Sequence, residues 1–317
     1  MTNNLKWYEL GTHERLGVVK SIYSPNFKVA KLTCEVEGDK PAFFEVHWWK
    51  KECYMDASIY ISTHSGCPVG CAMCGTNGVS IRPATADEMI AQFETSLQDM
   101  KAKNDDLDDF DIRLVKWMYM GEPLLNIHEV DKAMRYIADK YPDWHMLLST
   151  ICPRIDLNII KDLVRDLGSK LWVSFSIHKL DDKNRGKLIP YGDKLTIDEI
   201  VTLGEELYEI SGIKPSFSVN LFNKGGSEEL RDRIVELFDV DKWIPAIQFL
   251  YSKTGKEDPI AEKAANRLVD EFVNLLYHSG YNPALGFYGP ESYDDWHLQT
   301  GCGQFVEFQE YVSRKGL

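Results

Sequence analysis

Residues 58–75 read Ser-Ile-Tyr-Ile-Ser-Thr-His-Ser-Gly-Cys-Pro-Val-Gly-Cys-Ala-Met-Cys-Gly, a short apolar stretch that runs into a loop with three cysteines. Cys67, Cys71 and Cys74 have the spacing CxxxCxxC. Three thiolates at this spacing can bind three irons of a cubane 4Fe-4S cluster, and the fourth iron is then open to a small molecule. The loop therefore predicts a catalytic iron-sulfur cluster, because an electron carrier would bring a fourth cysteine close by.

Two other interpretations of these cysteines stay open at this point. A structural zinc site needs a fourth Cys or His at finger-like spacing, and His64 is the only nearby substitute. The remaining alternative is a set of buried cysteines without a metal.

Length and composition indicate an ordinary globular enzyme. The chain has 317 residues, of which 44% are hydrophobic and 27% charged, enough for one large α/β domain or two smaller ones. Seven cysteines, an odd number with three in one loop, suit a reducing cytoplasm better than a disulfide framework. The first residues lack an apolar run, and no stretch approaches the roughly 18 apolar residues of a membrane span. We therefore predict a cytoplasmic protein that does not enter a membrane.

The charge balance is acidic. Lys and Arg number 36 against 49 Asp and Glu, which gives a formal net charge of -13. Such a surface repels a phosphate backbone on average, so the composition does not favour a large RNA or DNA partner. A local basic patch could override the average, because electrostatic attraction depends on where the charges lie.

The order of strand-like and helix-like segments predicts an α/β fold. Over residues 1–56 we expect a small β-rich appendage, with strands at Leu16–Ile22, Lys28–Val36 and Ala42–Trp49. Beyond it, short apolar strands alternate with helical segments, the pattern of βα units around a parallel sheet. The predicted strands of this part are Ser58–Ser62, Leu114–Met120, Met146–Thr150, Leu171–Ile177, Ser216–Leu221 and Ala246–Leu250, with a last one at Ala284–Phe287. We therefore predict a partial TIM-like (β/α)6 barrel over residues 57–317.

Helix starts and strand ends add detail to this prediction. Thr85 with Glu88, and Thr196 with Glu199, have the spacing of capping boxes at the starts of two helices. In a TIM-like barrel the functional groups lie at the carboxyl ends of the strands, and the cysteine loop follows the first predicted strand.

A Gly-Glu-Pro-Leu segment follows the second predicted strand. Gly121 lets a ligand approach the backbone, and the Glu122 carboxylate can pair with an ammonium group such as that of S-adenosylmethionine. The alternative is a tight strand-to-helix turn with a solvated Glu122.

Together these motifs resemble the radical S-adenosylmethionine superfamily, and further segments narrow the resemblance to the RlmN and Cfr group of methyltransferases. The segments, which follow the family's order, are the CxxxCxxC loop, Gly121-Glu122-Pro123-Leu124, Leu148-Ser149-Thr150, Ser174-Phe175-Ser176-Ile177-His178 and Thr300-Gly301-Cys302-Gly303-Gln304-Phe305. The fold that the resemblance implies is the partial radical S-adenosylmethionine barrel.

The resemblance implies a role for each matched residue. Cys67, Cys71 and Cys74 would hold the 4Fe-4S cluster. The S-adenosylmethionine site would be lined by Gly121, Glu122, Ser149, Ser176 and His178. Cys302 would carry a methyl group taken from one S-adenosylmethionine, and a 5'-deoxyadenosyl radical made from a second would activate it for addition to an sp2 carbon. Glu45 falls near the family's carboxylate base, although a surface Glu on a β-strand is the alternative.

The chain departs from the family in three places. The second essential cysteine, seven residues before the first cluster cysteine, is Tyr60 here; Cys53 or Cys152 could substitute, although a core or bystander role is the alternative for each. The family's long helical accessory domain is replaced by a shorter segment, and its Pro-x-Asn segment reads Leu-Tyr-Ser-Lys at residues 250–253.

The leading hypothesis is a cytoplasmic radical S-adenosylmethionine methyltransferase that acts through Cys302 on an RNA, a nucleotide or a small molecule. Its expected partners are this substrate and an electron donor such as flavodoxin or ferredoxin, and the expected state is a monomer. One alternative uses Cys302 in a non-methylating radical reaction on a small molecule. Another is a non-catalytic binding protein that contains a cluster or zinc.

Overall fold

The structure is a computed structural model that describes residues 7–10, 15–51, 56–103, 110–221, 226–249, 259–287 and 303–317. The predicted strand end at Leu250, Cys53, the segment 250–253 and Cys302 lie outside the described residues. Within these ranges every helix is too short or too polar to span a bilayer.

Eleven strands in the described ranges form one mixed sheet, and two more form a separate hairpin. The strands are Trp7–Glu9 (β1), Arg15–Tyr23 (β2), Val29–Glu37 (β3), Ala42–Lys51 (β4), Asp56–Ile61 (β5), His64–Gly66 (β6), Ser80–Pro83 (β7), Ile112–Trp117 (β8), His145–Thr150 (β9), Leu171–Ser176 (β10), Ser216–Leu221 (β11), Ile244–Phe249 (β12) and Leu285–Phe287 (β13). The α-helices are Ala86–Lys103 (α1), Ile127–Lys140 (α2), Asn158–Leu167 (α3), Asp182–Leu188 (α4), Ile197–Ser211 (α5), Glu228–Leu237 (α6), Pro259–His278 (α7) and Val306–Lys315 (α8).

The parallel part of the sheet confirms the predicted fold class. Strands β5 and β8 to β13 pair in parallel and in chain order, and helices connect them. This is the architecture of an open, partial (β/α) barrel. The last predicted strand is present as β13, so the parallel part has one strand more than six βα units require.

The N-terminal strands extend the same sheet. Strands β1 to β4 pair antiparallel with one another, and β4 pairs antiparallel with β5, the first strand of the parallel part. The β-rich character of the appendage agrees with the sequence. Strand β5 begins at Asp56, one residue before the predicted start of the core. The division of the chain between residues 56 and 57 stays a prediction.

Alternation of side chains along each parallel strand separates two faces. Ile59, Val115, Leu148 and Phe175 belong to the main hydrophobic core, which also includes buried residues of the covering helices. The intervening residues point to the opposite, inner face of the sheet. Many of them are polar: Ser58, Tyr60, Lys116, Ser149, Ser174, Ser176, Ser218 and Asn220. The strands therefore supply both a packed core and a polar barrel interior.

Both predicted capping boxes are present. Thr85 N donates to Glu88 Oε2 at 2.8 Å, and Glu88 N donates to Thr85 Oγ1 at 3.2 Å. At the start of α5, Thr196 and Glu199 make the same reciprocal pair. These bonds satisfy backbone donors that a helix start leaves without partners, so the sequence itself sets where these helices begin.

An aromatic cluster holds α5 against the sheet. The Trp243 ring lies 5.7 Å from the Phe175 ring and 5.1 Å from the Phe238 ring, measured between centroids. Gly204 of α5 lies on this indole, because a Cβ atom at residue 204 would come within 2.0 Å of Trp243 Cη2. The helix can pack this closely only with glycine at this position.

Adding one methyl group at Gly204 should destabilise the fold. We expect Gly204→Ala to lower the free energy of unfolding by about 1–3 kcal/mol, the usual cost of overpacking a dense core. The control is Gly186→Ala within α4, where the nearest atom to the added Cβ is Lys194 Nζ at 4.0 Å. Alanine there should stabilise by about 0.5–1 kcal/mol through helix propensity. Urea denaturation measures both, and equal effects of the two substitutions would contradict the packing argument.

Candidate functional site

The cysteine loop lies at the carboxyl end of β5, as the sequence predicted. Strands β6 and β7 form a hairpin around it, and Cys67 N donates to Val79 O at 2.8 Å across its base. Within the loop, Cys74 N donates to Cys71 O at 2.9 Å. Gly66 and Gly70 have positive φ angles of +88° and +73°, which glycine adopts without strain. The backbone thus folds the three cysteines into one compact turn.

The three thiols form a donor set that fits an iron-sulfur cluster. Cys67 is buried, and Cys71 and Cys74 are partly buried. Burial raises the pKa of Cys67 well above its ordinary value, and the nearby thiols of Cys74 and Cys71 raise it further. Grouped thiolates of this kind require a bound cation to compensate their charge.

A cluster and a single zinc ion need different arrangements of donors. In the described part of the chain, no three His, Cys, Asp or Glu side chains are arranged to hold one metal ion. In a cubane each cysteine binds a different iron, so its ligands need not converge on one point. His64, the predicted substitute ligand, is buried and its Nδ1 lies 3.1 Å from Thr63 Oγ1.

Gly121 lies where the turn after β8 crosses the turn after β5. Its φ angle is +108°, and a Cβ atom would lie 2.5 Å from Thr63 Oγ1 and 2.8 Å from His64 N. Only glycine fits this approach, which brings the Gly-Glu turn against the start of the cysteine loop.

Glu122 is buried at this turn and is held by three hydrogen bonds. Its Oε1 accepts from Leu124 N at 3.0 Å and from Thr150 Oγ1 at 2.5 Å, and its Oε2 accepts from Ile151 N at 2.9 Å. Burial raises the pKa of Glu122 to about 7, although these hydrogen bonds oppose the rise. The alternative of a solvated Glu122 is therefore wrong. A carboxylate has about four acceptor sites, so one remains for a further donor.

Three predicted site residues lie on neighbouring strand ends. Ser149 and Ser176 are partly buried on the inner face of β9 and β10. His178 follows β10 with a φ angle of +60°, held there by its backbone N–H, which donates to Ser218 O at 2.8 Å. Burial, with a further contribution from Arg185, lowers the pKa of His178 to about 3, so its imidazole is neutral.

The Nδ1 atom of His178 is a buried polar atom that a ligand could satisfy. Among the described residues it has no hydrogen-bond partner, although the side chain is only 6% exposed. Unsatisfied buried polar atoms are uncommon in proteins and frequently face a ligand. This atom and the open acceptor site of Glu122 are available to a bound ligand.

Tyr60, which stands in place of the family's second cysteine, belongs to a buried aromatic cluster. Its Oη accepts from Lys116 Nζ at 2.9 Å, and its ring stacks on His47 with centroids 3.8 Å apart. Lys116 also lies over the Trp49 ring at 4.6 Å and 3.6 Å from Asp56 Oδ2. No thiol can take part at this position of β5.

Cys152 does not offer a reactive substitute. It is fully buried, and burial raises the pKa of its thiol to about 12, so the reactive thiolate is scarce at neutral pH.

The C-terminal segment that follows Cys302 contacts the cysteine loop directly. Gly75 N donates to Gly303 O at 2.7 Å. A Cβ atom at residue 303 would lie 2.8 Å from Met73 O and 3.2 Å from Cys74 Cα. The chain immediately after Cys302 is therefore packed on the backbone of the third cysteine.

Glu45 is completely buried behind this segment. Its Oε2 lies 2.6 Å from Lys31 Nζ, and its Oε1 accepts from Phe308 N at 2.7 Å. The alternative of a surface Glu is therefore wrong. Lys31 and its second partner, Glu307, were not predicted as site residues; the available signal was a lysine inside the apolar run of β3.

A cleft beside the barrel mouth carries several cationic side chains. Its volume is about 740 Å³, and one of its lining residues, Lys179, follows His178 in the chain. Lys179, Lys187 and Arg233 line it together with the acidic Asp181 and Glu229.

Comparisons with known proteins agree on one family, although no protein-family model matches the chain. The chain is 30% identical over 256 residues to the probable dual-specificity RNA methyltransferase RlmN of Pseudothermotoga lettingae, covering 78% of this chain and 68% of that protein. It is 26% identical over 267 residues to the probable RlmN of Dictyoglomus turgidum, covering 82% of this chain and 71% of that protein.

A solved structure supports the fold. A radical SAM methyltransferase from Sphaerobacter thermophilus superimposes with a TM-score of 0.73 at 19% identity, covering 91% of this chain and 80% of that one. The relatives at 30% and 26% identity confirm the family and enzyme class predicted from the sequence. The chain belongs to the RlmN-like family of radical S-adenosylmethionine methyltransferases, whose cofactors are S-adenosylmethionine and a 4Fe-4S cluster.

Proposed function

We propose that this protein transfers a methyl-derived carbon through Cys302 to an sp2 carbon of an RNA base. The observation that carries the proposal is the 2.7 Å hydrogen bond between Gly75 N of the cysteine loop and Gly303 O. This bond attaches the residue next to Cys302 to the turn that holds the proposed cluster ligands. A carrier thiol has to lie near the cluster, because the methyl source binds there.

The same geometry supports the proposed cofactor-binding residues. Cys67, Cys71 and Cys74 would hold the 4Fe-4S cluster, and Gly121, Glu122, Ser149, Ser176 and His178 would line the S-adenosylmethionine site. When bound, these cofactors supply the methyl group and a 5'-deoxyadenosyl radical. The protein's part is positioning and exclusion of water, which the buried positions of Glu122 and His178 favour.

Glu122 and His178 would recognise opposite kinds of groups. The Glu122 carboxylate would accept a hydrogen bond from the amino group of S-adenosylmethionine at its open acceptor site. Neutral His178 can donate or accept at Nδ1, depending on its tautomer. Glu122 is oriented by Thr150 and Ile151 of the next strand end, so its position does not depend on the ligand.

Neither Tyr60 nor Cys152 can supply the thiol that the family resemblance implies for product release. The Tyr60 phenol cannot form a disulfide with Cys302, and Cys152 is buried with a raised pKa. The group that ends the reaction is therefore not a thiol on β5.

An RNA acceptor is supported by two observations. The relatives are named as RNA methyltransferases, and the cleft beside His178 carries three cationic against two acidic side chains, although the chain has a net charge of -13. Cationic side chains bind phosphates largely independently of base sequence. The proposed setting is a cytoplasmic monomer that receives electrons from a flavodoxin- or ferredoxin-like donor.

Mass spectrometry of Cys302 tests the carrier role. In anaerobically reconstituted protein supplied with S-adenosylmethionine and a reductant, we expect a 14 Da addition on the peptide with Cys302, since S-methylation replaces H with CH3. Cys302→Ala should lose this addition and the methylated RNA. The control Cys34→Ala removes a thiol that is buried in the core of β3 and should keep both.

Three results would contradict the proposal. Formation of 5'-deoxyadenosine without S-methylation would favour the non-methylating reaction. Absence of 5'-deoxyadenosine with a reducible cluster would favour a binding protein, and zinc in place of iron would exclude the radical chemistry.

The affinity for S-adenosylmethionine should depend on the charge of Glu122. Because the pKa of Glu122 is raised to about 7, the carboxyl becomes neutral as the pH falls below that value and loses its attraction for an ammonium group. We expect the dissociation constant to rise by up to about tenfold per pH unit between about pH 7 and pH 5, where an α-amino group stays protonated.

Isothermal titration calorimetry of the anaerobic, cluster-loaded protein measures this dependence. Glu122→Gln should bind weakly with little change over that range. Asp131→Asn, which removes a partly buried carboxylate of α2 that pairs with Arg135, is the control and should follow the wild type. Equal pH profiles for the wild type and Glu122→Gln would contradict the assignment.

The cationic side chains of the cleft should contribute to RNA binding. For the Lys187→Glu and Arg233→Glu double variant we expect weaker binding of a structured RNA and a shallower dependence of log K on log salt, by about one for each phosphate that is no longer bound. The same charge change at Lys132 and Arg135 on α2 is the control. Filter binding at several salt concentrations measures both, and equal losses of affinity would exclude the cleft as the RNA-binding surface.

A further inference from the structure

A buried ion cluster joins the N-terminal strands to the C-terminal helix. Lys31 of β3 is 1% exposed, and its Nζ lies 2.6 Å from Glu45 Oε2 and 2.6 Å from Glu307 Oε2. Lys20 reaches the outer oxygen of Glu307 at 3.3 Å. We call Lys31, Glu45 and Glu307 the Lys31 clamp. A charged group so deeply buried is expensive unless it is paired, so its members have to stay together.

The clamp also holds the first turn of α8. Glu45 Oε1 accepts from Phe308 N at 2.7 Å, and this N–H is one of the donors that a helix start leaves without a partner. A carboxylate is favoured there by the helix dipole as well. Glu45 on β4 therefore caps a helix that begins 261 residues later in the chain, at Val306.

The opposite side of the same segment rests on the cysteine loop. Lys31 Nζ donates to Gln304 O at 3.4 Å, and the next residue back, Gly303, accepts from Gly75 N. The Phe308 ring packs against Gly66, where a Cβ atom would come within 2.8 Å of the ring. Residues 303–308 are therefore held between the Lys31 clamp and the loop that carries the cysteines.

These contacts turn Glu45 towards groups within the protein, although burial raises its pKa to about 7, with Lys31 opposing the rise. Both of its oxygens already have partners, Lys31 and Phe308 N, and the side chain has no exposed area. A general base has to lie within hydrogen-bond reach of the proton that it removes. The contacts of Glu45 are instead with the chain segment that follows Cys302.

We propose that Glu45 and Lys31 are positioning residues that dock the segment from Gly303 to Lys315 on the CxxxCxxC loop and so set where Cys302 is presented. The consequence of this docking for catalysis rests on the proposed carrier role of Cys302. The docking itself does not depend on that role.

Hydrogen exchange and Cys302 methylation, measured on the same cluster-loaded full-length protein, test the proposal. Lys31→Met leaves two buried carboxylates without their cation. We expect at least about tenfold faster exchange in peptides that cover residues 303–315, with a similar fall in the rate of Cys302 methylation. Formation of 5'-deoxyadenosine without acceptor should persist, because the cysteine loop is intact.

Two further variants separate positioning from proton transfer. In Glu45→Gln the loss of Cys302 methylation should match the rise in exchange. Wild-type exchange and wild-type Cys302 methylation, together with complete loss of methylated RNA, would instead show a catalytic base and overturn the proposal. The triple variant Lys31→Met, Glu45→Gln, Glu307→Gln removes all three charges at once, so it should recover protection relative to Lys31→Met. If Lys31→Met folds poorly, exchange over residues 303–315 can still be measured in the triple variant.

The control is Glu37→Gln on β3, which breaks an exposed pair with Arg15 and should change neither quantity. Wild-type exchange over residues 303–315 in Lys31→Met would overturn the docking. Absence of Cys302 methylation in the wild type would overturn the proposed function but not the docking, which the exchange data decide independently.

Discussion

The parallel pairing of β5 with β8, and of β8 with β9, is the constraint on which the candidate site depends. Parallel strands end at the same edge of a sheet, so the loops that follow them lie side by side. This edge brings the cysteine loop, the Gly121-Glu122 turn and the Thr150-Ile151 turn into contact. Thr63 N donates to Met120 O, and Glu122 accepts from Thr150 and Ile151. Each motif is therefore positioned by its neighbour.

The C-terminal helix α8 joins the cysteine loop to the antiparallel strands. The hydrogen bond from Phe308 to Glu45 joins residues 263 positions apart, and the Lys31 ammonium holds two carboxylates from different elements. Contacts this distant are costly in chain entropy, so a buried, charge-assisted network is a suitable means of specifying one geometry. In this fold the antiparallel strands β3 and β4 serve as the support for that network.

Much of the fold could be predicted because its signals are local. Strand alternation located β2, β3 and β4 and the parallel strands to within a few residues, and the Thr-x-x-Glu spacings located the starts of α1 and α5. The environments of Glu45 and Glu122 could not be predicted in this way. Their partners, Lys31, Phe308 and Thr150, are distant in the chain, so no spacing rule connects them.

The sequence by itself determined the family, the order of strands β2 to β5 and β8 to β13 and the three thiols of the cysteine loop, since these depend on short patterns of residue type. Only the tertiary structure decided that Glu45 is a buried partner of Lys31, that Cys152 is an unreactive core thiol and that Tyr60 lies in a stacked aromatic cluster. Burial and long-range pairing set the charge, the pKa and the reach of a side chain, and both arise only when distant segments pack together.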